Sequence, residues 1–348
     1  MQKQKILVSA LEHSANIHLG SVLQHLDNYE LMGIFSKEYG NPIVDMQDRS
    51  IMGFSDAIKS LPFFLKLAKQ MVELSESANK VLLIDSSGFN LPLAKKIKKR
   101  YPNKHIIYYI LPQAWAWKRK RVFALAKNVD NLLSILPFEK EIYPSYANIE
   151  YVGHPLLDQI TEFKTFTPKE IKNILFMPGS RRAEIVKLMP IFRELAQKLN
   201  LNATLATPPH LKNSLDIYGD ISNFNITYNS QQALKEADFA FICSGTATLE
   251  AALIGTPFVL SYIAKPFDYF IGTKLIKLNY IGLANIFFEK MGKEAMHKEF
   301  LQNEVTVENL VKEFNNFKFE KFLNNSKLLR DYLQNGSSKK VAKIINMN

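Results

Sequence analysis

Residues 243–257, CSGTATLEAALIGTP, decide the fold of the second half of the chain. The preceding apolar run, 238–242, predicts a buried parallel strand, and the quoted stretch predicts a turn followed by a helix over Ala247–Ile254. The first backbone N–H groups of a helix have no partner within it, and the helix dipole is positive at that end. A strand, a turn of small residues and a helix in this order therefore favour a bound anion.

Glu250 adds a second kind of contact to the same stretch. It lies about one turn into the predicted helix, where its carboxylate can accept hydrogen bonds from the two neighbouring hydroxyls of a ribose. The alternative is that Glu250 only complements the helix N-terminus. The candidate contacts with an anionic, ribose-bearing ligand are therefore Ser244, Gly245, Thr246, Ala247, Thr248 and Glu250.

Short apolar runs that predict strands alternate with helical patterns along the chain. The runs are 5–11, 31–35, 81–85, 105–110 and 131–136, and then 173–177, 203–207, 224–228, 238–242 and 258–263. This alternation predicts an α/β protein with parallel sheets. Because a polar segment, 158–172, separates the two sets, we expect two doubly wound, Rossmann-like domains, 1–160 and 161–320, and a helical tail, 321–348. Two such sheets facing each other would bring the loops after their strands to one cleft.

Composition limits the class of protein. The chain has 348 residues, of which 47% are apolar, enough for two domains with cores of their own. Its formal net charge of +11 favours an anionic partner, such as nucleic acid, a nucleotide or an acidic lipid surface. The single cysteine, Cys243, excludes an intramolecular disulfide, and the seven histidines show no metal-ligand spacing. We therefore predict neither a metal site nor a cofactor.

The same composition bears on localisation. No apolar stretch reaches the length that spans a bilayer, and Glu12 and His13 interrupt the first apolar run too early for a signal peptide. We therefore expect a cytoplasmic protein.

Two further strand ends carry candidate chemistry. One strand end is FMPGSRRAE, 176–184. Gly179 lets the backbone approach a ligand closely, Ser180 supplies a hydroxyl, and the guanidinium of Arg181 supplies several donors suited to a leaving diphosphate. No Gly-Lys-Ser/Thr follows, which disfavours an ATPase. In IDSSGFN, 84–90, Asp85 can act as a general base on a sugar hydroxyl, or it can cap the following helix.

Two other stretches suit a lipid surface. LPQAWAWKRKR, 111–121, sets both tryptophans beside basic residues, which suits a bilayer interface or nucleic-acid stacking, unless the tryptophans belong to the core. Residues 52–72 place Phe63 and Phe64 on the apolar face of a helix that could lie on a membrane, line an acyl-chain channel or simply pack in the core. The candidate membrane residues are Phe63, Phe64, Trp115, Trp117, Lys118, Arg119 and Arg121.

Together these stretches resemble the lipid-A-disaccharide synthase family of Gram-negative bacteria. The matching pieces run in order from about residue 5 to residue 302 and include IDSSGFNLPL, WAWKRKRV, LPFEKEIY, YVGHPLLD, PGSRRAEI, SGTATLEAAL and YIGLANI. The resemblance implies an inverting, metal-independent glycosyltransferase of the B type (GT-B). It would transfer 2,3-diacylglucosamine from UDP to 2,3-diacylglucosamine 1-phosphate, forming the β-1′,6-linked disaccharide phosphate and UDP, at the cytoplasmic face of the inner membrane.

The resemblance also assigns residues. It implies Asp85 as the base, Arg181 at the diphosphate, Glu250 near the ribose, and Asn285 and Gln302 as further UDP-sugar contacts. It places the acceptor on the first domain, at a loop that here contains Glu12, Ser14 and Asn16, and it suggests that the tail, 321–348, packs back on that domain.

The sequence departs from the family pattern in the first loop and after Asp85. The glycines and aspartate of the family's first loop are absent, since the loop reads Leu11-Glu12-His13-Ser14-Ala15-Asn16, and Gly88 replaces a second aspartate. Asp85, Glu12 and His13 are therefore all candidates for the base. Two alternative functions stay open: a soluble UDP-sugar epimerase of the same fold, and a non-catalytic nucleic-acid-binding protein suggested by the charge alone.

Overall fold

A computed structural model of the chain describes residues 3–45, 61–116, 118–264 and 279–347. Trp117 and the first part of the segment 52–72 lie outside the described residues. The chain divides into two compact units, Met1–Asp158 with Leu333–Asn348, and Gln159–Tyr332. Each unit is an α/β structure, which confirms the predicted class.

The first unit is built on a six-stranded parallel sheet in the order β2-β1-β3-β4-β5-β6. Its strands are β1 (Gln4–Ser9), β2 (Tyr29–Ile34), β3 (Lys80–Ile84), β4 (His105–Tyr109), β5 (Asn131–Ser134) and β6 (Ile149–Tyr151). Its helices are α1 (His13–Leu23), α2 (Leu61–Leu74), α3 (Ser87–Arg100), α4 (Arg121–Asn128) and α5 (Leu156–Gln159), the last of which ends at the boundary between the units.

Helices cover both faces of this sheet, so its central strands are apolar on both sides. On one face α1 and the C-terminal helix contribute side chains such as Leu19 and Ile345, and on the other α2 and α3 contribute Met71 and Ile97. All four side chains are fully buried. Burial of this kind stabilises the fold by roughly 1.5–3 kcal/mol for each large apolar side chain.

The second unit contains another six-stranded parallel sheet, in the order β12-β11-β10-β7-β8-β9. Its strands are β7 (Asn173–Met177), β8 (Asn202–Ala206), β9 (Asn225–Thr227), β10 (Phe239–Ile242), β11 (Phe258–Tyr262) and β12 (Glu299–Leu301). Its helices are α6 (Arg182–Leu199), α7 (Ser230–Glu236), α8 (Thr246–Ile254), α9 (Leu283–Lys290), α10 (Val307–Asn316) and α11 (Phe319–Leu333), which crosses the boundary at its last residue. Phe176 and Phe241 lie opposite each other on neighbouring strands, with their rings stacked 5.4 Å apart.

The predicted strands agree with the observed ones to within about two residues, but β6 and β12 were not predicted. Both are three-residue edge strands, and each has only one buried residue. Strands this short carry too little alternation or apolar character to be recognised without their neighbours.

The chain returns to the first unit at Leu333 and ends in α12 (Ser337–Asn346). The backbone N–H of His154 donates to the carbonyl oxygen of Leu333 at 3.1 Å. The Asp158 carboxylate accepts hydrogen bonds from the N–H groups of Gly336 and Ser338, at 2.6 and 2.7 Å. An acidic side chain at a helix N-terminus satisfies otherwise unpaired donors and complements the dipole. The VGHPLLD stretch therefore anchors the C-terminal helix.

Candidate functional site

The PGSR stretch forms the turn between β7 and α6 in the second unit. Gly179 adopts φ +99°, and Arg181 is the N-cap residue of α6. The Nη1 atom of Arg181 donates to Oε1 of Glu184 at 2.8 Å, while 79% of the arginine side chain stays exposed. One edge of the guanidinium is thus fixed by a carboxylate and the rest is open, an arrangement that suits anion binding. Ser180, beside it, is exposed.

Glu184 organises this turn and was not identified from the sequence. Only 9% of its side chain is exposed, and its Oε2 lies 2.5 Å from where a Cβ on residue 179 would stand. A side chain at position 179 would therefore displace the carboxylate that holds Arg181. Glu184 follows Arg181 by three residues, a spacing that brings side chains together on a helix, so the sequence did contain a usable signal.

The turn after β10 adjoins the PGSR turn because β10 pairs with β7. The N–H of Cys243 donates to the carbonyl of Met177 at 2.8 Å. Gly245, at φ +135°, is the N-cap residue of α8, which has no side-chain cap and no acid in its first turn. Thr246 is exposed and Ser244 and Ala247 are half-buried, so the structure brings this group of predicted contacts to one helix start beside the PGSR turn.

Thr248 and Glu250 occupy different environments on α8. Thr248 is fully buried and its hydroxyl donates to the carbonyl of Gly245 at 2.7 Å, so it shapes the turn instead of facing a ligand. Glu250 is half-buried, and its Oε1 accepts from Nε2 of Gln231 at 3.2 Å. Burial raises the pKa of the Glu250 carboxyl, and the hydrogen bond from Gln231 opposes that rise. Nothing in the sequence marked Gln231, because its role depends on α7 lying beside α8.

Asn285 was predicted to contact the UDP-sugar, but its side chain is turned inward. It is fully buried, its Nδ2 donates to the His297 carbonyl and to Oε1 of Glu299 at 2.9 and 2.7 Å, and its Oδ1 accepts from the N–H groups of Met296 and His297. These contacts use the full hydrogen-bonding capacity of the amide. Asn285 therefore positions Glu299 and the loop before β12.

The side chain of Gln302, unlike that of Asn285, has an unsatisfied hydrogen-bond donor among the described residues. Gln302 follows β12 at φ +55°, and its buried Nε2 has no hydrogen-bond partner among the described residues. A buried amide nitrogen without a partner costs free energy, so a ligand oxygen at this place would be stabilising.

In the first unit, Asp85 stands directly after β3 in an unusual turn. Asp85 and Ser86 adopt φ values of +49° and +44°, a conformation that non-glycine residues rarely take. The fully buried Asn90 supports the turn: its Nδ2 donates to the carbonyls of Ile84 and Asp85, and its Oδ1 accepts from Ser9. Ser86, not Asp85, is the N-cap residue of α3. The strained turn is typical of a functional site, and it leaves the Asp85 carboxylate outside the helix cap.

Glu12 lies next to this turn. Its Oε1 accepts from the Ser86 hydroxyl at 3.1 Å. Burial, together with the nearby Glu12 charge, raises the pKa of Asp85. A carboxylate with a raised pKa is a stronger base than a solvated one, which suits removal of a proton from a hydroxyl.

The three predicted acceptor residues differ in access. Glu12 and Ser14 are exposed, at the start of α1. Asn16 is buried: its Nδ2 donates to the carbonyls of Ala10 and Glu12, and its Oδ1 accepts from the N–H of Ser36. Asn16 therefore fixes the loop that presents Glu12, and its role as an acceptor contact stays a prediction.

The predicted membrane residues are only partly on the surface. Phe63 and Phe64 are half-buried on α2 and pack against the core of the first unit, whereas Leu61 and Leu65 are 56% and 53% exposed. The half-buried Trp115 packs edge to face on Phe138 at 5.4 Å, with its indole nitrogen buried. The outward apolar residues of α2 are thus the leucines, not the phenylalanines.

The basic residues of the WAWKRKR stretch separate into two groups. Lys118, Arg119 and Lys120 are exposed. Arg121 is half-buried and its Nη1 donates to the Ser87 hydroxyl at 3.4 Å, beside the Asp85 turn.

The described residues contain neither a metal-binding cluster nor a membrane-spanning helix. Within 3–45, 61–116, 118–264 and 279–347, no group of His, Cys, Asp or Glu side chains is arranged to hold a metal ion. In the same ranges, no helix combines the length and the apolar character needed to cross a bilayer.

Comparison with known proteins identifies the family. A sequence model described as lipid-A-disaccharide synthetase matches residues 6–347. The chain belongs to this family. It is 49% identical over 356 residues to a lipid-A-disaccharide synthase of Helicobacter pylori strain HPAG1, covering 97% of this chain and 96% of that protein. It is 47% identical over 364 residues to the one of Campylobacter jejuni strain RM1221, with 98% of each chain covered.

Solved structures agree on the fold. The calicheamicin glycosyltransferase CalG4 superposes with a TM-score of 0.61 at 13% identity, covering 99% of this chain and 98% of that one. The lipid-A-disaccharide synthetase family and this GT-B-like fold make the chain a glycosyltransferase of lipid A biosynthesis. The comparisons favour neither the epimerase nor the nucleic-acid-binding alternative.

Proposed function

We propose that this chain transfers 2,3-diacylglucosamine from UDP to 2,3-diacylglucosamine 1-phosphate, with Asp85 as the base. The observation that carries the proposal is the Asp85 turn: a carboxylate at the carboxyl end of a central strand, held in a strained conformation, with a raised pKa. His13 is exposed, and among the described residues no comparable turn holds it in place.

The reaction needs a base, an electrophilic carbon and a stabilised leaving group. Asp85 takes the proton of the acceptor hydroxyl, whose oxygen forms a bond to the anomeric carbon of the donor. The bond from that carbon to the diphosphate oxygen breaks, UDP leaves with the electron pair, and the anomeric configuration inverts. Arg181 and the start of α8 stabilise the charge that develops on the diphosphate, while Glu250 accepts from the ribose and Gln302 supplies a further donor.

A lipid acceptor requires access to a bilayer. The exposed Leu61 and Leu65, together with Lys66 and Lys69 on the same helix, suit the surface of a membrane that contains anionic lipids. We therefore propose peripheral attachment to the cytoplasmic face of the inner membrane, with Lys118 and Arg119 as additional contacts.

A product assay tests the reaction. The purified protein, UDP-diacylglucosamine and diacylglucosamine 1-phosphate are incubated in detergent micelles, and products are analysed by mass spectrometry. We expect a disaccharide phosphate and an equal amount of UDP. Release of UDP without disaccharide would overturn the assigned acceptor, and absence of both products would overturn the assigned reaction.

Substitution of Arg181 should weaken UDP binding. Arg181→Ala removes charge-assisted hydrogen bonds to the diphosphate and leaves the Glu184 carboxylate unpaired beside it, so we expect UDP affinity to fall about 10- to 100-fold. The measurement is calorimetric titration with UDP. Arg182→Ala is the matched control, because Arg182 is the next residue, is exposed and carries the same charge. Equal losses in both variants would mean that only net charge matters.

Substitution of Glu12 should shift the pH dependence of turnover. Because the Glu12 charge contributes to the raised pKa of Asp85, Glu12→Gln lowers that pKa. The base then stays ionised to lower pH, and the acid limb of the kcat profile moves to lower pH. An acid limb that stays in place would show that another group sets it.

A further inference from the structure

The guanidinium of Arg121, at the start of α4, is only weakly engaged by the described part of the fold. Arg121 is the first residue of α4 and Ser87 is the first residue of α3. The hydrogen bond of 3.4 Å from Arg121 Nη1 to the Ser87 hydroxyl joins the two side chains. It is a long contact between a charged donor and a neutral oxygen, so it satisfies only a small part of the guanidinium.

Arg121 has no carboxylate as an ion-pair partner among the described residues. Neither α3 nor α4 has an acid in its first turn. A cation at a helix N-terminus is electrostatically unfavourable, because the positive end of the dipole lies there. The contacts of Arg121 with the described residues therefore leave most of its guanidinium available to a negatively charged partner.

There is room for such a partner beside Ser87. A Cβ added to the next residue, Gly88, would have no atom within 4 Å, and Gly88 is exposed. Where the family pattern has an aspartate, this chain thus leaves open space and no negative charge.

The same place adjoins the proposed base. The Tyr108 hydroxyl donates to the carbonyl of Asp85 at 2.7 Å. The Tyr108 hydroxyl also lies within electrostatic range of both Asp85 and Arg121. A ligand that contacts Arg121 would therefore have its other groups near the Asp85 carboxylate.

We propose that Arg121 and Ser87 bind the phosphate of the acceptor, and so select a phosphorylated sugar over an unphosphorylated one. This inference rests on the proposed function, which supplies an acceptor with both a phosphate and a reacting hydroxyl. The guanidinium and the hydroxyl donate to phosphate oxygens, and the bound phosphate holds the sugar with its hydroxyl at Asp85. Arg121 is then a substrate-binding residue, whereas its neighbours Lys118 and Arg119 remain surface cations.

Binding measurements test this without relying on turnover. Calorimetric titrations in neutral detergent micelles compare diacylglucosamine 1-phosphate with diacylglucosamine for the wild type, Arg121→Ala and Lys127→Ala. We expect the wild type to prefer the phosphorylated ligand, and Arg121→Ala to lose about tenfold in affinity for that ligand alone, as for one charge-assisted contact. Lys127 is the matched control, since it is an exposed cation in the last turn of the same helix.

Three results would overturn the assignment. The first is that Arg121→Ala keeps the wild-type preference, and the second is that it weakens binding of both ligands equally, which would indicate a structural role. The third is that Arg121→Ala loses affinity for vesicles of neutral and anionic phospholipid by the same factor as for the acceptor, which would make Arg121 a membrane cation. A thermal melt of Arg121→Ala checks folding, and we expect no loss of stability because a cation is removed from a helix start. A wild type that binds the phosphorylated sugar but transfers nothing would refute the proposed reaction and leave the phosphate site standing.

Discussion

Asp85→Asn is expected to lower the turnover of the disaccharide reaction about 100- to 10,000-fold, the usual contribution of a general base. The amide is nearly isosteric with the carboxylate but cannot take up the proton of the acceptor hydroxyl. Asp85 lies in the first unit and the proposed UDP contacts lie in the second, so UDP affinity should stay unchanged. The measurements are steady-state turnover and calorimetric titration with UDP on the same preparation.

A control separates loss of the base from loss of charge. Asp27→Asn changes the same functional group on an exposed residue of the first unit, and it should retain wild-type turnover. If Asp85→Asn turns over at the wild-type rate, Asp85 is not the base, and Glu12 and His13 become the residues to test. If UDP affinity falls together with turnover, the substitution has disturbed more than the proton transfer.

Deletion of residues 336–348 is expected to unfold the first unit. The deletion removes α12, whose Val341, Ile344 and Ile345 are all more than 90% buried against the sheet. At roughly 1.5–3 kcal/mol for each, these three side chains contribute an amount comparable to the whole stability of a typical domain, about 5–15 kcal/mol. Differential scanning calorimetry should show loss of the unfolding transition of the first unit and retention of that of the second.

Single substitutions in α12 test the same packing through smaller changes in the free energy of unfolding. Ile345→Ala should lower the free energy of unfolding of the first unit by about 2–5 kcal/mol, since it leaves a cavity in the core. Lys339→Ala, at an exposed position on the same helix, should leave it unchanged. A first unit that melts normally without α12 would contradict the core arrangement described above.

The sequence was sufficient wherever a local pattern carries the information. Buried parallel strands are apolar along their whole length and end in turn residues, so the strands that end at Ile84, Met177 and Ile242 were recognised to within about two residues. The candidate residues in the turns after them, Asp85 and Arg181, followed from the rule that parallel sheets bind ligands beyond their carboxyl ends. The contact between Glu184 and Arg181 could also have been predicted, because a spacing of three residues brings side chains together on a helix.

The sequence was insufficient wherever a side chain's partner is distant along the chain. Asn285 and Asn16 were predicted as ligand contacts from their motifs. In the structure, both amides form hydrogen bonds with backbone groups, and Asn285 also with a side chain, that become neighbours only when the chain folds. Asn90, which supports the Asp85 turn, is itself held by a hydrogen bond from the hydroxyl of Ser9, 81 residues away in the sequence. An isolated motif cannot show whether a polar side chain points toward the ligand or the core.

The sequence by itself determined the class of fold and the family, because these depend on short-range periodicity and on contiguous motifs, and it predicted which turns bind the ligand. Only the tertiary structure decided which polar side chains stay free. It showed that the side chain of Arg121, unlike the exposed cations before it, lies beside Ser87. It also showed that Asp158 of the VGHPLLD stretch binds the N-terminus of the C-terminal helix. The physical reason is that hydrogen-bond satisfaction is a property of the packed chain: a buried donor or acceptor takes the partner that the fold places next to it, and sequence distance does not limit that choice.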